Sequence, residues 1–239
     1  MIREDISLSV CVPAFNEENT LKEAVEDLIL TLLQKIKELE IVIVDDASTD
    51  STPQLARELV AKHNQVKFIS HAKNLGVGVC YRDALAVAQG KYFTWFPSDH
   101  ENSAGELAKC LPFLNDNYIV TSHHRDYDFR SDFRRLISYI YTWVLNKYFR
   151  MNLKYYNGLT IIPTMCLRTT SLKSEGFAFG AESVIHAVQS GCKVVELSAP
   201  LRQRVSGKSK AFTIKSIYKV LKDLFFVLKK RKKIYTREI

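Results

Sequence analysis

Residues 6–20, ISLSVCVPAFNEENT, and residues 41–52, IVIVDDASTDST, decide the fold. Each stretch begins with an apolar run that lacks strict polar alternation, as is typical of a strand covered on both faces in a parallel sheet. Each run ends in a loop rich in acidic and turn-forming residues, and a helical pattern follows. Two such strand–loop–helix units predict an α/β fold with a mostly parallel central sheet flanked by helices.

Acidic side chains stand at the carboxyl ends of both predicted strands. Glu17 follows the first strand, and Asp45 and Asp46 follow the second. Open α/β sheets bind ligands at this edge, where carboxylates can accept hydrogen bonds from base N–H groups and ribose hydroxyls. A phosphate would be repelled there unless a cation accompanied it. The absence of G-x-G-x-x-G and of G-x-x-x-x-G-K-[ST] argues against a dinucleotide-binding fold and a P-loop.

Four motifs, in this order along the chain, resemble those of family 2 glycosyltransferases with the GT-A fold. The motifs are VPAFNEENTL, VDDASTDST, NLGVGVCYRDALAVAQGKY and FPSDHEN. The resemblance covers roughly residues 7–210, and similar proteins include dolichyl- and polyprenyl-phosphate mannose or glucose synthases. It implies a GT-A fold and a hexosyltransferase that uses a nucleotide-diphosphate sugar, either a UDP-hexose or a GDP-hexose.

The resemblance also implies which residues contact the donor. They are Pro13, Phe15, Glu17, Val44, Asp46, Asn74, Ser98 and Asp99. Val44 and Asp46 would lie near the base, and Gly76 and Arg82 would share the segment that flanks the donor. Without the resemblance, that segment is equally well a turn leading into a helix over residues 79–88.

The expected metal-binding motif departs from the family pattern. Relatives end the strand that corresponds to residues 91–96 with D-x-D, whereas this chain has P-S-D at residues 97–99. The resemblance implies that Asp99 and Glu101 bind Mg²⁺ or Mn²⁺ through hard oxygen ligands, with diphosphate oxygens and water completing the shell. Asp99 could alternatively cap a helix over residues 104–111. The missing first aspartate could alternatively mark a non-catalytic nucleotide-sugar-binding protein.

Apolar residues between 133 and 149 recur at helical spacing and form one long stripe. They are Phe133, Leu136, Ile137, Ile140, Tyr141, Val144, Leu145, Tyr148 and Phe149. The opposite positions include Arg130, Arg134, Arg135 and Lys147, a combination suited to a membrane interface with anionic headgroups. A buried core helix explains the same stripe equally well.

An acceptor-phosphate site is implied by the resemblance to polyprenyl-phosphate transferases. Its residues would be Arg125, Arg134, Ser138 and Arg204. Arginine suits this task because its planar fork pairs bidentately with phosphate. Glu182 lies in a segment similar to the family's F-x-x-E at the floor of the active site. It would position a hydroxyl or an arginine there, or alternatively cap a helix over residues 183–190.

The implied reaction is direct displacement at the anomeric carbon by an acceptor oxygen, with a metal and basic residues stabilising the departing nucleoside diphosphate. The catalytic residues would be Asp99, Arg125, Arg204 and Glu182. A phosphate acceptor is already ionised near neutral pH and needs no strong base. A sugar hydroxyl would need a carboxylate base, for which Glu182 and Asp126 are the candidates.

Length and composition agree with one α/β domain, which we expect to span residues 1–210. The chain has 239 residues, of which 46% are hydrophobic and 25% charged, enough for a full core. Five scattered cysteines without C-x-x-C spacing are typical of reduced core residues in a cytosolic protein. No apolar run approaches the ~18 residues that span a bilayer, and the first residues do not resemble a signal peptide. We therefore expect a cytoplasmic protein whose membrane contact is peripheral.

The net charge of +8 is concentrated near the end of the chain. Residues 202–237 hold thirteen Lys and Arg and one acid, so acids outnumber bases in the rest of the chain. One face of the predicted helix within residues 211–239 is apolar, through Ile214, Ile217, Tyr218, Leu221, Leu224, Phe225 and Leu228. A basic amphipathic helix is attracted to an anionic membrane surface. Packing on the domain or at a dimer contact is the alternative. Nucleic acid is not expected as a partner, because no aromatic–basic RNA signature occurs.

These observations favour hexose transfer from a nucleotide sugar to a polyprenyl or dolichyl phosphate at the cytoplasmic face of a membrane. One alternative is a family 2 transferase that adds a sugar to a saccharide or to a lipid-linked oligosaccharide. The other alternative is the non-catalytic binding protein. Dependence on a lipid phosphate distinguishes the first two functions, and metal-dependent turnover excludes the third.

Overall fold

The computed structural model describes residues 3–99, 102–123, 132–169 and 171–199. Its strands are β1 (Arg3–Ala14), β2 (Ile36–Asp45), β3 (Val66–Ser70), β4 (Tyr92–Trp95), β5 (Tyr118–His123), β6 (Thr160–Pro163) and β7 (Lys193–Ser198). Its helices are α1 (Leu21–Leu32), α2 (Thr52–Lys62), α3 (Val77–Val87), α4 (Ala104–Cys110), α5 (Asp132–Phe149), α6 (Thr164–Arg168) and α7 (Phe179–Gln189). The expected domain boundary at residue 210 and the tail at 211–239 lie outside the described residues.

The seven strands of the described ranges form one sheet with the order β3-β2-β1-β4-β6-β5-β7. β6 runs antiparallel to both of its neighbours, and the other paired strands are parallel. The carboxyl ends of β1, β2, β3, β4, β5 and β7 therefore share one edge, where β6 begins. This mixed sheet with its flanking helices confirms the predicted α/β class. Ligands of open α/β sheets bind at the carboxyl edge, so a site is expected there.

Both faces of the central strands are covered, as their unbroken apolar runs predicted. Val10 and Ile41 lie in a cluster with the buried face of α1. Cys11 and Val42 lie on the opposite face, in a cluster with Ala84 of α3. Burying each large aliphatic side chain contributes about 1.5–3 kcal/mol. The two layers therefore fix β1 and β2 firmly and leave their loops to protrude at the carboxyl edge.

Pro13 lies within β1, although proline cannot donate a hydrogen bond to a neighbouring strand. The strand continues to Ala14, and Pro13 pairs with Val44 of β2. Proline fits here because β4 pairs with β1 only as far as Cys11, opposite Trp95. Beyond that point no strand on the β4 side needs the N–H group that proline lacks.

Two helices begin earlier than predicted. α3 spans Val77–Val87 rather than residues 79–88, and α7 spans Phe179–Gln189 rather than residues 183–190. The start of α3 follows Gly76, whose φ of 97° is a conformation that glycine adopts without strain. The start of α7 is a phenylalanine buried against two aromatic rings, which stabilises an additional turn.

α5 confirms the helix predicted from the apolar spacing over residues 133–149. Its apolar side chains are divided between two environments, since Leu145 is fully buried whereas Leu136 and Ile140 are 56% and 53% exposed. Nine apolar residues are too many for the one face that packs on the core. The helix is therefore a core helix on one side and an exposed apolar surface on the other. Among the described helices, none combines the length and apolarity needed to cross a bilayer.

Candidate functional site

Hydrogen bonds join the loops that follow β1 and β2 at the carboxyl edge. Asn16 adopts a φ of 55°, which asparagine tolerates, and its side-chain oxygen accepts from Thr49 N–H at 2.8 Å. Asn16 N–H donates to Ser48 Oγ at 2.9 Å, and Glu17 N–H donates to Thr52 Oγ1 at 2.8 Å. The two acidic loops therefore form a single rim, which we call the donor rim (residues 13–20 and 45–52).

Three of the residues expected along the nucleotide lie on the donor rim. Pro13, Phe15 and Glu17 are all half-buried. The carboxylate of Glu17 accepts from Thr20 Oγ1 at 3.0 Å, at the N-terminus of α1. Val44, by contrast, is fully buried and packs in the core beneath the rim. Its side chain supports the rim from below.

Asp46 is a buried hub of the donor rim, with a side chain 6% exposed. Its carboxylate accepts from the N–H groups of Leu75 and Gly76, both at 2.8 Å, and lies 2.8 Å from His71 Nδ1. Asn74 Nδ2 donates to the Asp46 carbonyl oxygen at 3.3 Å. Charge-assisted bonds of this kind are strong away from water. The structure thus brings Asp46, Asn74 and Gly76 together, and Asp46 holds the loop before α3 in place.

Sequence reasoning missed two partners in this network, His71 and Asp83. Nε2 of His71 lies 3.0 Å from the Asp83 carboxylate on α3, so the imidazole links α3 to Asp46 at the end of β2. His71 is 25 residues from one partner and 12 from the other, so no local motif connects them. Its one sequence signal is its position directly after the apolar strand β3, at the carboxyl edge.

Cys80 lies beside this network. One ligand atom each from Asp46, His71 and Cys80 lies within 4.8 Å of the others, a spacing that could hold a metal ion. Burial, followed by the nearby carboxylates of Asp46 and Asp83, raises the pKa of the Cys80 thiol to about 12. A protonated thiol and an imidazole do not fit Mg²⁺ or Mn²⁺, which prefer oxygen ligands. We therefore assign this cluster to holding the loop before α3, residues 74–76, in place.

Asp99 lies just beyond β4 at the same edge of the sheet. Ser98 Oγ donates to the Pro13 carbonyl at 3.0 Å and so attaches this segment to the donor rim. α4 is capped by Ser103 in a capping box with Glu106, so the alternative of Asp99 as its cap is wrong. Asp99 is half-buried, and a carboxylate beside the donor rim fits a hard divalent cation.

The opposite side of the edge is built by the close crossing of β5 and the residues before β6. Ser122 N–H donates to the Leu159 carbonyl at 2.8 Å, and Leu159 N–H donates to Ser122 Oγ at 3.2 Å. A Cβ on Gly158 would lie 1.8 Å from the Ser122 carbonyl oxygen, so only glycine fits. Trp95 Nε1 donates to the Gly158 carbonyl at 3.4 Å. These contacts connect the end of β4 to β5 and to the residues before β6.

Part of the predicted acceptor and metal sites cannot be placed. The following lie outside the described residues: Glu101, Arg125, Asp126 and Arg204. Arg134 belongs to the first turn of α5, and Ser138 is half-buried one turn later. The acceptor-phosphate site therefore stays a prediction.

Glu182 is 2% exposed and lies inside α7, so the alternative of a helix cap is wrong. Its carboxylate accepts from the N–H groups of Lys173 and Ser174, the latter at 2.8 Å. The Ser174 carbonyl in turn accepts from Arg82 Nη1 at 2.7 Å. A Cβ on Gly78 would meet that carbonyl oxygen at 2.1 Å. Glu182 and Arg82 thus bind one segment of backbone between α7 and α3.

Comparison with known proteins places these features in context. The chain is similar to an uncharacterized glycosyltransferase of Haemophilus influenzae, with 28% identity over 116 residues, 48% of this chain and 45% of the relative. It is also similar to the GalNAc(5)-diNAcBac-PP-undecaprenol beta-1,3-glucosyltransferase of Campylobacter jejuni, with 30% identity over 112 residues, 46% of this chain and 35% of the relative. The chain thus spans less than half the length of either relative.

The fold has a counterpart among solved structures. Glucosyl-3-phosphoglycerate synthase from Mycobacterium tuberculosis, in complex with Mn²⁺, UDP and phosphoglyceric acid, superposes with a TM-score of 0.67. The match covers 91% of this chain and 78% of that protein at 19% identity, and it confirms the expected GT-A fold. The model of the family described as glycosyl transferase family 2 matches residues 9–176, which include the donor rim, the Asp46 network and Asp99. The chain therefore belongs to glycosyl transferase family 2.

Proposed function

We propose that the chain transfers a hexose from a UDP- or GDP-hexose to a polyprenyl or dolichyl phosphate at the cytoplasmic face of a membrane. Binding of the nucleotide-sugar donor at the carboxyl edge of the sheet is supported by the hydrogen bond from Ser98 Oγ to the Pro13 carbonyl. This hydrogen bond keeps the Asp99 segment beside the donor rim, so a base and a diphosphate can be bound by adjacent parts of one edge. The M. tuberculosis enzyme, which has the same fold, is described with Mn²⁺ and UDP, and this supports the proposal of a nucleotide-sugar donor with a divalent cation.

Asp99 would hold Mg²⁺ or Mn²⁺ with Glu101 as a second carboxylate ligand. A divalent cation there supplies charge neutralisation for the diphosphate as it departs. The protein's own contribution is positional, because Ser98 fixes the backbone next to Asp99 and the Asp46 network fixes the loop over residues 74–76. Preorganised groups of this kind lower the barrier without reorganising during the reaction.

The acceptor would enter from the side built by β5 and α5. Its phosphate oxygen attacks the anomeric carbon, the new carbon–oxygen bond forms, and the bond to the nucleoside diphosphate breaks. Arg125, Arg134 and Arg204 would neutralise the acceptor phosphate, which is already ionised and needs no base. Glu182 would support this site indirectly, since its carboxylate binds backbone N–H groups of the protein.

A second candidate is transfer to a lipid-linked oligosaccharide. It is favoured by the C. jejuni relative, whose name describes glucosyl transfer to a saccharide on undecaprenol diphosphate. In such a reaction a sugar hydroxyl of the acceptor attacks the anomeric carbon, and a carboxylate base is needed to remove its proton. With Glu182 bound to backbone, Asp126 becomes the base to test for that acceptor.

The test is transfer from radiolabelled UDP- and GDP-hexoses, with Mg²⁺ or Mn²⁺, to polyprenyl phosphate or a lipid-linked oligosaccharide in detergent. Asp99→Asn should remove lipid-bound label almost completely, and Arg134→Ala should reduce it for the phosphate acceptor. Asp116→Asn is the matched control, because Asp116 is exposed and paired with Lys91 away from the site. Label on the oligosaccharide alone would favour the second candidate. No turnover with any pair would favour the non-catalytic alternative.

A further inference from the structure

Four large apolar side chains are exposed together on the outer face of α5. Leu136, Tyr139, Ile140 and Trp143 are 56%, 53%, 53% and 61% exposed. Their spacing of three and four residues places them on one face of the helix. We call this face the α5 stripe. Among the described helices, no other has more than two exposed large apolar side chains.

The α5 stripe cannot turn inward, because the opposite face of α5 is already packed. Leu145 is fully buried in a cluster with α7, and Thr142 is 5% exposed. Asn146 donates to the Leu153 carbonyl at 2.8 Å and accepts from the Tyr156 hydroxyl at 2.8 Å. These contacts fix the rotation of the helix about its axis. The exposure of the stripe therefore belongs to the folded domain.

Charges around the α5 stripe are mainly positive. Arg135, Lys147 and Arg150 are exposed at its borders. The exposed acid at the start of α5, Asp132, is bound to Arg135 at 3.2 Å. Tryptophan and tyrosine favour the boundary between apolar and aqueous phases, because each has an apolar ring and a polar group. Apolar residues bordered by cations match a lipid bilayer with anionic headgroups.

We propose that the α5 stripe docks on an anionic lipid surface, with the helix lying in the plane of the headgroups. The proposal rests on the membrane location in the proposed function and assigns it a docking surface within the folded domain. A second copy docked through its own α5 stripe, or the chain's own basic tail, would bring further cations against Arg135, Lys147 and Arg150. An anionic bilayer brings the opposite charge, so the observations favour lipid.

Docking through α5 would also keep the site near its acceptor. Eight residues separate the end of β5 at His123 from the start of α5 at Asp132. A connection of that length spans at most about 30 Å. The carboxyl end of β5 therefore lies within about 30 Å of the helix that would rest on the bilayer.

The experiment uses the full chain and vesicles of phosphatidylcholine with or without phosphatidylglycerol. Trp143 is the reporter, since the other tryptophan, Trp95, is packed against Phe179. A Trp143→Phe variant supplies the Trp95 emission to subtract. We expect the Trp143 emission to shift to shorter wavelength on anionic vesicles.

Leu136→Gln with Ile140→Gln should weaken vesicle binding by at least about tenfold, because two aliphatic side chains that would be buried in the lipid are lost from the contact. Leu30→Gln with Leu33→Gln, at the carboxyl end of α1, is the matched control, because both leucines are exposed and their replacement should leave binding unchanged. Thermal unfolding of both variants checks that the fold is retained.

Several outcomes overturn the proposal. One such outcome is that the wild-type chain binds anionic vesicles without any shift in Trp143 emission. The basic tail alone would then make the contact with the lipid. Another is protection of Trp143 from iodide quenching in the absence of vesicles, since the tail or a second copy would then cover the stripe. Sedimentation velocity distinguishes those two occupants. Vesicle binding requires no turnover, so a chain that docks but transfers no sugar to lipid phosphate would contradict only the proposed function.

Discussion

The Asp46 carboxylate accepts hydrogen bonds from two backbone N–H groups of the loop before α3 and contacts the His71 imidazole. Holding this loop therefore depends on both the charge and the shape of the Asp46 side chain. Its position after an apolar strand was readable in the sequence because the pattern is local. The roles of His71 and Asp83 were not, since they depend on three elements meeting at one edge. The same limit applies to Glu182, whose partners Lys173 and Ser174 come from a segment without a motif.

Asp46→Asn tests this hub. An asparagine of the same shape has one oxygen and cannot accept from both Leu75 and Gly76, so a buried N–H is left without a partner. We expect the free energy of unfolding to fall by about 2 kcal/mol, measured by urea denaturation. Asp132→Asn, at a fully exposed carboxylate, should change it by less than about 0.5 kcal/mol. Equal midpoints for the two variants would contradict the assignment.

Glu40 gives a pH-dependent prediction at the amino half of the sheet. Burial raises its pKa, but hydrogen bonds from Lys67, Ser9 and the N–H of Gln89 outweigh burial and leave the carboxyl pKa below its usual value. A lowered pKa stabilises the fold above the pKa of the unfolded chain, about 4.3, and this contribution disappears as pH falls through the folded value.

Glu40→Gln should therefore lower the free energy of unfolding at pH 7 by about 1–3 kcal/mol. The difference from wild type should shrink as the pH is lowered below about 4. Urea denaturation across this pH range measures it, with the exposed Glu23→Gln as control. A difference that is constant with pH would show that the ionised carboxylate is not the stabilising form.

The helices and strands differ in how much local sequence determines them. β1 and β2 were predictable because long apolar runs are needed for strands covered on both faces. β6 was not, because its four residues pair with β4 and β5 far away in sequence. The apolar spacing of α5 predicted a helix but not which side faces the core, since that depends on α7 and Tyr156.

Ser103→Ala tests the start of α4. Ser103 caps this helix by a side-chain bond to the N–H of Gly105, and Glu106 completes the capping box. Loss of the hydroxyl should lower the free energy of unfolding by about 1 kcal/mol. Ser51→Ala is the matched control, because Ser51 occupies the same position before α2 without a capping bond. Similar losses in both variants would mean that the capping bond contributes little.

At the scale of the whole molecule, the described core is built from residues that precede the predicted boundary at residue 210. All members of its three hydrophobic clusters come from between Ile6 and Leu197. The tail beyond residue 210 carries nine lysines and arginines, which are suited to anionic lipid.

A chain that ends at residue 210 should keep the urea midpoint of the full chain. Its affinity for anionic vesicles should fall and should depend less steeply on salt, because fewer cations contact the surface. Unfolding monitored by circular dichroism and vesicle sedimentation measure the two effects. A large loss of stability on truncation would place the tail against the domain instead.

The antiparallel strand β6 also determines when β5 and β7 can join the rest of the sheet during folding. β1, β2, β3 and β4 find their mutual partners within residues 3–95, so they can pair while the rest of the chain is still being synthesised. Among the described strands, β5 pairs with β6 and β7, and its Thr121 precedes its hydrogen-bond partner Thr160 by 39 residues. Such distant pairing slows folding and exposes unpaired strand edges in the meantime. The β5–β6–β7 half of the sheet is therefore the half whose pairing we expect to form last.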